Sequence, residues 1–129
     1  MREIKFRGMD LQGRWFYGLP CHIQTDKHSA KEGWYISNSV GISTAYDVRP
    51  ETVTQYTGLL DKNGKEIYEG DIINGLDTDS KFGGRYENMK VDFYNGEFGI
   101  GDNMGHLGLK HLSDIEVIGN IYENPELLK

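Results

Sequence analysis

The sequence predicts a mostly β fold, β-rich with little helix, on three observations. Seventeen glycines are dispersed along 129 residues among many Tyr, Phe and Ile residues. That mixture suits many tight turns between short strands. Apolar residues alternate with polar ones in short runs that end at Gly, Asn, Asp or Pro. No stretch holds an apolar stripe of 3.6-residue period for three turns.

The elements follow in chain order. Ile4-Lys5-Phe6-Arg7 alternates as a strand, Met9 to Gly13 reads as a turn, and Trp15 to Leu19 is a second strand, so residues 3–19 form a hairpin. Residues 24–33 are polar and read as a loop. Trp34-Tyr35-Ile36 is a third strand. Residues 37–46 lean towards β, with Val40 and Ile42 as core candidates. Asp47-Val48-Arg49-Pro50 reads as a turn into the strand Thr52 to Tyr56.

Residues 56–73 read "YTGLLDKNGKEIYEGDII" and raise a choice between a metal loop and a turn. A calcium loop needs oxygen ligands at alternate positions, a central Gly and a Glu at the twelfth place. Here Gly64 follows Asp61 by only three residues, and the twelfth place is Ile72, which has no ligand atom. Spacing therefore selects the turn: Asp61 and Asn63 bond their own backbone, and Gly64 takes positive φ. Gly70 in Glu69-Gly70-Asp71 then marks a corner of the kind found in small, strongly bent barrels.

Residues 74–88 are polar and read as a long excursion. Met89 to Phe93 alternates as a strand, Asn95-Gly96 is a hairpin turn, and Phe98 to Ile100 returns. Residues 101–114 are Gly-rich and irregular. Ser113-x-x-Glu116 has the form of a helix capping box. The β-branched Ile115, Val117, Ile118 and Ile121 make strand the stronger reading. Asn124 and Pro125 then open a short terminal helical turn.

Composition bounds the function. With 37% apolar and 12% aromatic residues, the chain has the material for a core and is not a disordered tail. A single cysteine, Cys21, closes no intrachain disulfide. The charged start MREIKFRGMD carries no apolar run of signal length, and no apolar stretch approaches ~20 residues. The expected location is the cytoplasm, with no membrane partner. The net charge of −6 is uneven: residues 1–56 carry seven basic and six acidic residues, and residues 57–129 seven and fourteen. An acidic surface opposes an extended phosphate footprint.

Chemical motifs are weak. Cys21 and His22 are adjacent and point to opposite faces of a strand. His106 and His111 are five apart, a spacing that suits no helical metal pair, and His28 stands apart. Asp77-Thr78-Asp79 sits in polar surroundings and reads as solvated. Gly99 to Gly105 departs from the dinucleotide fingerprint by one residue and precedes no amphipathic helix. No catalytic, metal or cofactor residue is assigned, and the chain is expected not to be an enzyme. Arg7, Arg14, Trp15, Tyr17 and Trp34 interleave cations with aromatics. They are the candidate surface for nucleic acid or a partner, weighed against simple core filling.

Four stretches together resemble the YopX family of phage and prophage proteins: Ile4 to Arg7 followed by Asp10; Val53 to Leu59; Asp61 to Ile72; and Ile118 to Leu128. Gly8-Met9 stands where that family more often has Ala-Trp. The resemblance implies a phage or prophage accessory protein of bacteria, in two β-rich parts. These would be residues 1–56 and residues 57–129, the second an SH3-like small barrel. It carries over no catalytic residues. The expected function is a non-enzymatic module that binds a protein partner, itself included as a homo-oligomer. The alternative is nucleic-acid binding through the Arg- and aromatic-rich N-terminal part.

Overall fold

A computed structural model describes residues 3–24, 31–37, 45–78, 84–102 and 105–128. These residues form twelve strands and three short 3-10 helices, so the fold is mostly β. The expected positions Val40 and Ile42, and the tip of the 24–33 loop, lie outside the described residues. The chain divides into two compact units, Met1–Tyr56 and Thr57–Lys129.

The N-terminal unit is one antiparallel sheet in the order β4 (Ala45–Val48), β3 (Gly33–Ser37), β2 (Trp15–Ile23), β1 (Phe6–Met9) and the start of β5 (Thr54–Leu60). Phe6↔Gly18 to Met9↔Trp15 fixes the first hairpin. Gly8 lies where Val48 and Ile36 cross the sheet: an added Cβ would stand 2.9 Å from Val48 Cγ2 and 3.1 Å from Ile36 Cγ1. A side chain at this position would force Val48 or Ile36 to shift. β2 outruns its expected end at Leu19 because residues 20–23 find β3, from Pro20↔Ile36 to Ile23↔Gly33. Asp47 and Val48 are not a turn but the end of β4, held by Tyr35↔Asp47 and Trp34↔Val48. The turn comes later, in the 3-10 helix Pro50–Thr52. Thr52 Oγ1 locks it there, donating to Arg49 O at 2.6 Å and accepting from Met9 N at 2.8 Å.

The C-terminal unit contains the end of β5, β6 (Glu66–Tyr68) and two three-stranded antiparallel sheets. One has the order β12 (Leu112–Asn120), β7 (Asp71–Asp77), β8 (Arg85–Lys90). The other has the order β11 (Gly105–Gly108), β10 (Glu97–Asp102), β9 (Asp92–Tyr94). Ile67, Ile73, Val91, Ile100, Leu109, Leu112 and Ile115 form its core. The strands do not close into a barrel among the described residues. Between β8 and β9 the ladder breaks at Val91, whose N–H donates to Asp71 O and whose carbonyl accepts from Gly70 N. The 74–88 segment is mostly strand rather than excursion, since β7 runs to Asp77 and β8 begins at Arg85. Gly75 helps explain this, since it packs against Leu112 and Ile115 of the neighbouring strand, a contact that polarity counts do not register. Residues 101–102 and 105–108 are likewise strand, where β11 pairs Ile100↔Leu107 and Gly101↔His106 with β10. The stretch 113–116 lies within β12, not a helix.

The 61–65 segment is a turn built on Asp61. Asp61 N donates to Lys65 O at 2.7 Å, and Gly64, at φ +82°, donates to Asp61 O at 3.0 Å. The Asp61 carboxylate is buried and accepts from Asn63 N at 2.8 Å, Lys65 N at 2.9 Å and Val117 N at 3.0 Å. Burial pushes its pKa up, but these three donors and the Lys65 charge outweigh that and hold it below its usual 3.8.

The carboxylate's contribution to stability is therefore complete above pH 3.8 and is lost as pH falls below that value through the folded pKa. Asp61→Ala is expected to lower unfolding stability by about 2–4 kcal/mol at pH 7, since it strands charge-assisted, partly buried donors. Urea titrations of both proteins down the acid range should show the gap narrowing below pH 3.8. A gap that persists unchanged into acid would contradict the role of the ionised carboxylate.

Candidate functional site

Strand register sorts the five Arg and aromatic candidates. Arg7↔Tyr17 and Met9↔Trp15 put Arg7, Trp15 and Tyr17 on one face of the N-terminal sheet. Trp34, paired with His22 and Val48, is on the other face, where its ring stacks on His22 at 4.5 Å. Arg7 is 5% exposed. Its guanidinium lies 4.4 Å from the Trp15 ring centroid, and its Nε donates to Thr54 Oγ1 at 3.3 Å. Arg14 stands at the β1–β2 turn. Its Nε donates to Asp10 at 2.7 Å and its Nη2 to Gln12 Oε1 at 3.0 Å. The structure thus unites three candidates, places Trp34 behind them and engages Arg14 in a turn. On the same face as Arg7, the neighbouring positions Tyr17 and Leu19 are 42% and 56% exposed.

A second constellation of this unit was not foreseen. A groove of about 460 Å³ is lined by Arg14, Phe16, Tyr46, Arg49 and Pro50 among others. Phe16 and Tyr46 stack at 4.1 Å and 11°. Arg49 spends Nη2 on the Met9 thioether at 2.9 Å, and its Nε is buried without a hydrogen-bond acceptor among the described residues. Nothing in the sequence brings residues 14–16 beside 46–50, because β1 and β3 must first align β2 with β4.

The C-terminal unit holds a polar cluster on one face of the β9–β10–β11 sheet. The pairs Gly99↔Asp92, Glu97↔Tyr94, Gly101↔His106 and Gly99↔Gly108 put Asp92, Tyr94, Glu97 and His106 together, with three glycines between them. The glycines make space for these side chains. A Cβ on Gly99 would stand 2.7 Å from His106 Cε1 and 2.3 Å from Leu107 O, and one on Gly108 would stand 2.8 Å from Glu97 Oε2. The His106 ring lies 5.3 Å from that of Tyr94. His106 Nδ1 is 3.8 Å from Glu97 Oε1, and Nε2 is buried without a hydrogen-bond partner among the described residues. The signal for this cluster is glycine at alternate positions, 99 and 101, facing Gly108 across the hairpin. It becomes legible only once the register is known.

Asp92, Tyr94 and His106, with Phe93, Gly101 and Gly105, line a groove of about 320 Å³. Lysines approach both carboxylates: Lys90 Nζ is 3.5 Å from Asp92 and Lys110 Nζ is 4.0 Å from Glu97. The Glu69 carboxyl is pushed up by its own burial and then by the Asp92 charge, against a smaller opposing effect of Lys90. Among the described residues, no group of three or more His, Cys, Asp or Glu is arranged to hold a metal ion. No helix among them is long and apolar enough to cross a membrane. Asp77 ends β7, and Asp79 lies outside the described residues.

Fold and surface together define an antiparallel β protein of two small units whose polar clusters sit on open sheet faces. The chain belongs to the YopX protein family, whose model matches residues 5–129. Among solved structures it is similar to the crystal structure of protein EF1440 from Enterococcus faecalis, at 27% identity and a TM-score of 0.55, with 100% of both chains covered. No curated protein matches the chain.

The glycine spacing supports a direct test. Gly99→Ala meets backbone at Leu107 O, which cannot step aside without moving β11, and should cost about 2–3 kcal/mol. Gly108→Ala meets the end of the flexible Glu97 side chain and should cost less than about 1 kcal/mol. Thermal unfolding of the two variants would reveal the difference, and equal losses would refute the close-approach account.

Proposed function

We propose that the chain is a non-enzymatic interaction module, a phage or prophage accessory protein working in the bacterial cytoplasm, and that it associates with itself. The observation that supports this reading is the pair Tyr17 and Leu19, side by side and largely exposed on an interior strand of the N-terminal sheet. β2 pairs β1 through Tyr17 and β3 through Leu19, and the two side chains project from the same face of the sheet. A two-fold pairing would bring the strip against its own copy, the commonest geometry of homo-oligomers. Trp15 and exposed Cys21 share the face. Buried Arg7, beneath the Trp15 ring, supports this strip as a braced platform rather than a phosphate-contacting patch.

Solution mass by light scattering, at low and at physiological salt, tests the reading. A defined oligomer is expected at both, since apolar contact is little screened, and Leu19→Lys should shift it to monomer by placing a charge at the centre of the contact. A wild-type monomer at micromolar concentration would overturn self-association and leave a hetero-partner for the module.

The groove beside Arg14, Phe16, Tyr46 and Arg49 favours a second reading, nucleic-acid binding, because aromatic rings next to guanidinium groups stack bases and contact phosphate. It predicts salt-sensitive binding of single strands that weakens on Arg14→Ala. Arg7→Ala should instead act through stability. Absence of any mobility shift at low ionic strength would remove this reading.

A further inference from the structure

We propose that the face carrying Asp92, Tyr94, Glu97 and His106 is a docking site for a cationic side chain, arginine or lysine, on a basic segment of a protein partner. This rests on the reading of the chain as an interaction module and adds the chemistry of what it engages. Four observations support it.

The first is the stripped floor. Three glycines share this face, and the side chains beside them lie low over the strands, with the His106 ring above Gly99 and Gly101 and the Glu97 carboxylate above Gly108. A groove of about 320 Å³ opens beside Tyr94 and His106. Its size is within the range of side-chain and small-ligand sites.

The second is the ring. Tyr94 is 57% exposed on β9, at the edge of its sheet. It presents a π face at the rim of a groove whose other wall is imidazole. Such a face attracts a guanidinium or ammonium group.

The third is charge. Asp92 and Glu97 sit on the same face as the ring, and residues 57–129 carry fourteen acidic against seven basic residues. The effect on Glu69 has the same sign: its carboxyl is driven up in part by Asp92, with Lys90 only partly offsetting this. An added cation relieves that repulsion.

The fourth is that the present lysine partners are weak. Lys90 and Lys110 reach Asp92 and Glu97 only at 3.5 and 4.0 Å, through exposed side chains. Surface pairs of this kind contribute less than about 1 kcal/mol. An arginine that also stacks on Tyr94 can displace them.

The test is titration of the full chain with the peptides acetyl-Gly-Arg-Gly-amide, its lysine counterpart and its citrulline counterpart. Citrulline keeps the shape of arginine and lacks the charge. Binding is followed by two-dimensional NMR up to about 10 mM. Arginine, and more weakly lysine, should shift the resonances of Tyr94, Glu97 and His106 in a saturable way. Citrulline should bind at least about three- to ten-fold more weakly, the size of an exposed cation–π and ion-pair contribution. Tyr94→Leu and Glu97→Gln, both at solvent-facing positions, should each weaken arginine binding about three- to ten-fold.

No saturable shift with either cationic peptide overturns the proposal. So does equal binding of citrulline, which would mean apolar docking, or shifts confined to the other unit. The result is separable from solution mass: an oligomer that ignores the peptides overturns this site alone. A monomer that binds arginine overturns self-association and supports the site with a hetero-partner.

Discussion

The C-terminal unit depends on one buried carboxylate. Asp61 closes the β5–β6 turn with two of its hydrogen bonds and reaches β12 with a third, to Val117 N. The next residue repeats the link through the backbone, since Lys62 N donates to Ile115 O at 2.8 Å. These bonds coincide with the irregularity of β12. Between Ser113↔Leu76 and Glu116↔Asn74, two residues of β12 face one of β7, and Asp114 takes φ +53°. The bulge turns Ile115 O out to Lys62 and still buries the Ile115 side chain in the core. A regular strand would satisfy β7 and leave the turn unattached. Sheet regularity is given up locally so that a hairpin and a sheet share one core.

The N-terminal unit uses the same local device with a different outcome. Asp10 N donates to Arg14 O and Gly13 N to Asp10 O, while the carboxylate takes Gln12 N and Arg14 N at 2.9 Å each. The spacing is that of Asp61 to Lys65, with Gly13 at φ +83° in place of Gly64. The fifth bond differs. Asp61 spends its second oxygen on a distant strand, and Asp10 spends it on the guanidinium of its own turn. One turn therefore knits a unit and the other finishes a hairpin. The C-terminal stretch is similar in kind: Asn120 Oδ1 accepts from Tyr122 N and Glu123 N, and Asn124 Oδ1 reaches back to Asn120 N. Of the stretches that carry the YopX resemblance, Val53 to Leu59 is strand, and Asp61 to Ile72 and Ile118 to Leu128 hold a turn, a corner and this clasp between strands. They specify architecture, and the surfaces left for recognition lie on the faces between them.

What could be read from the sequence was whatever local chemistry decides. The Asp61 turn, the Asn95-Gly96 hairpin and the preference for strand over helix at Ser113 to Glu116 rest on residues within five positions of each other, and the structure has all three. What could not be read was decided by pairing. Residues 74–77 and 85–88 look like loop by composition, yet become strand because β12 and β8 lie alongside β7. Trp34 looks like a neighbour of Trp15 and Tyr17, and the register turns it to the opposite face. His106 looks ordinary until Gly99, Gly101 and Gly108 are seen to clear its face of the sheet.

The two units also use their charges differently, and this bears on recognition more than the total of −6 does. In the N-terminal unit only Arg7 is an internal fitting, braced against Trp15, while Arg14 closes the Asp10 turn from an exposed position and Arg49 leans on Met9 half-buried. A desolvated guanidinium such as that of Arg7 adds shape but projects little field. In the C-terminal unit some carboxylates are internal in the same way, with Asp61 and Asp71 buried against backbone N–H groups. Asp92 and Glu97 differ from them. They stay near solvent, beside an exposed tyrosine, and their lysine partners stand at the long end of ion-pair distance. A charge already committed to structure cannot change partners without unfolding something. A loosely paired charge on a sheet face can, and this sets Asp92 and Glu97 apart from the carboxylates committed to structure.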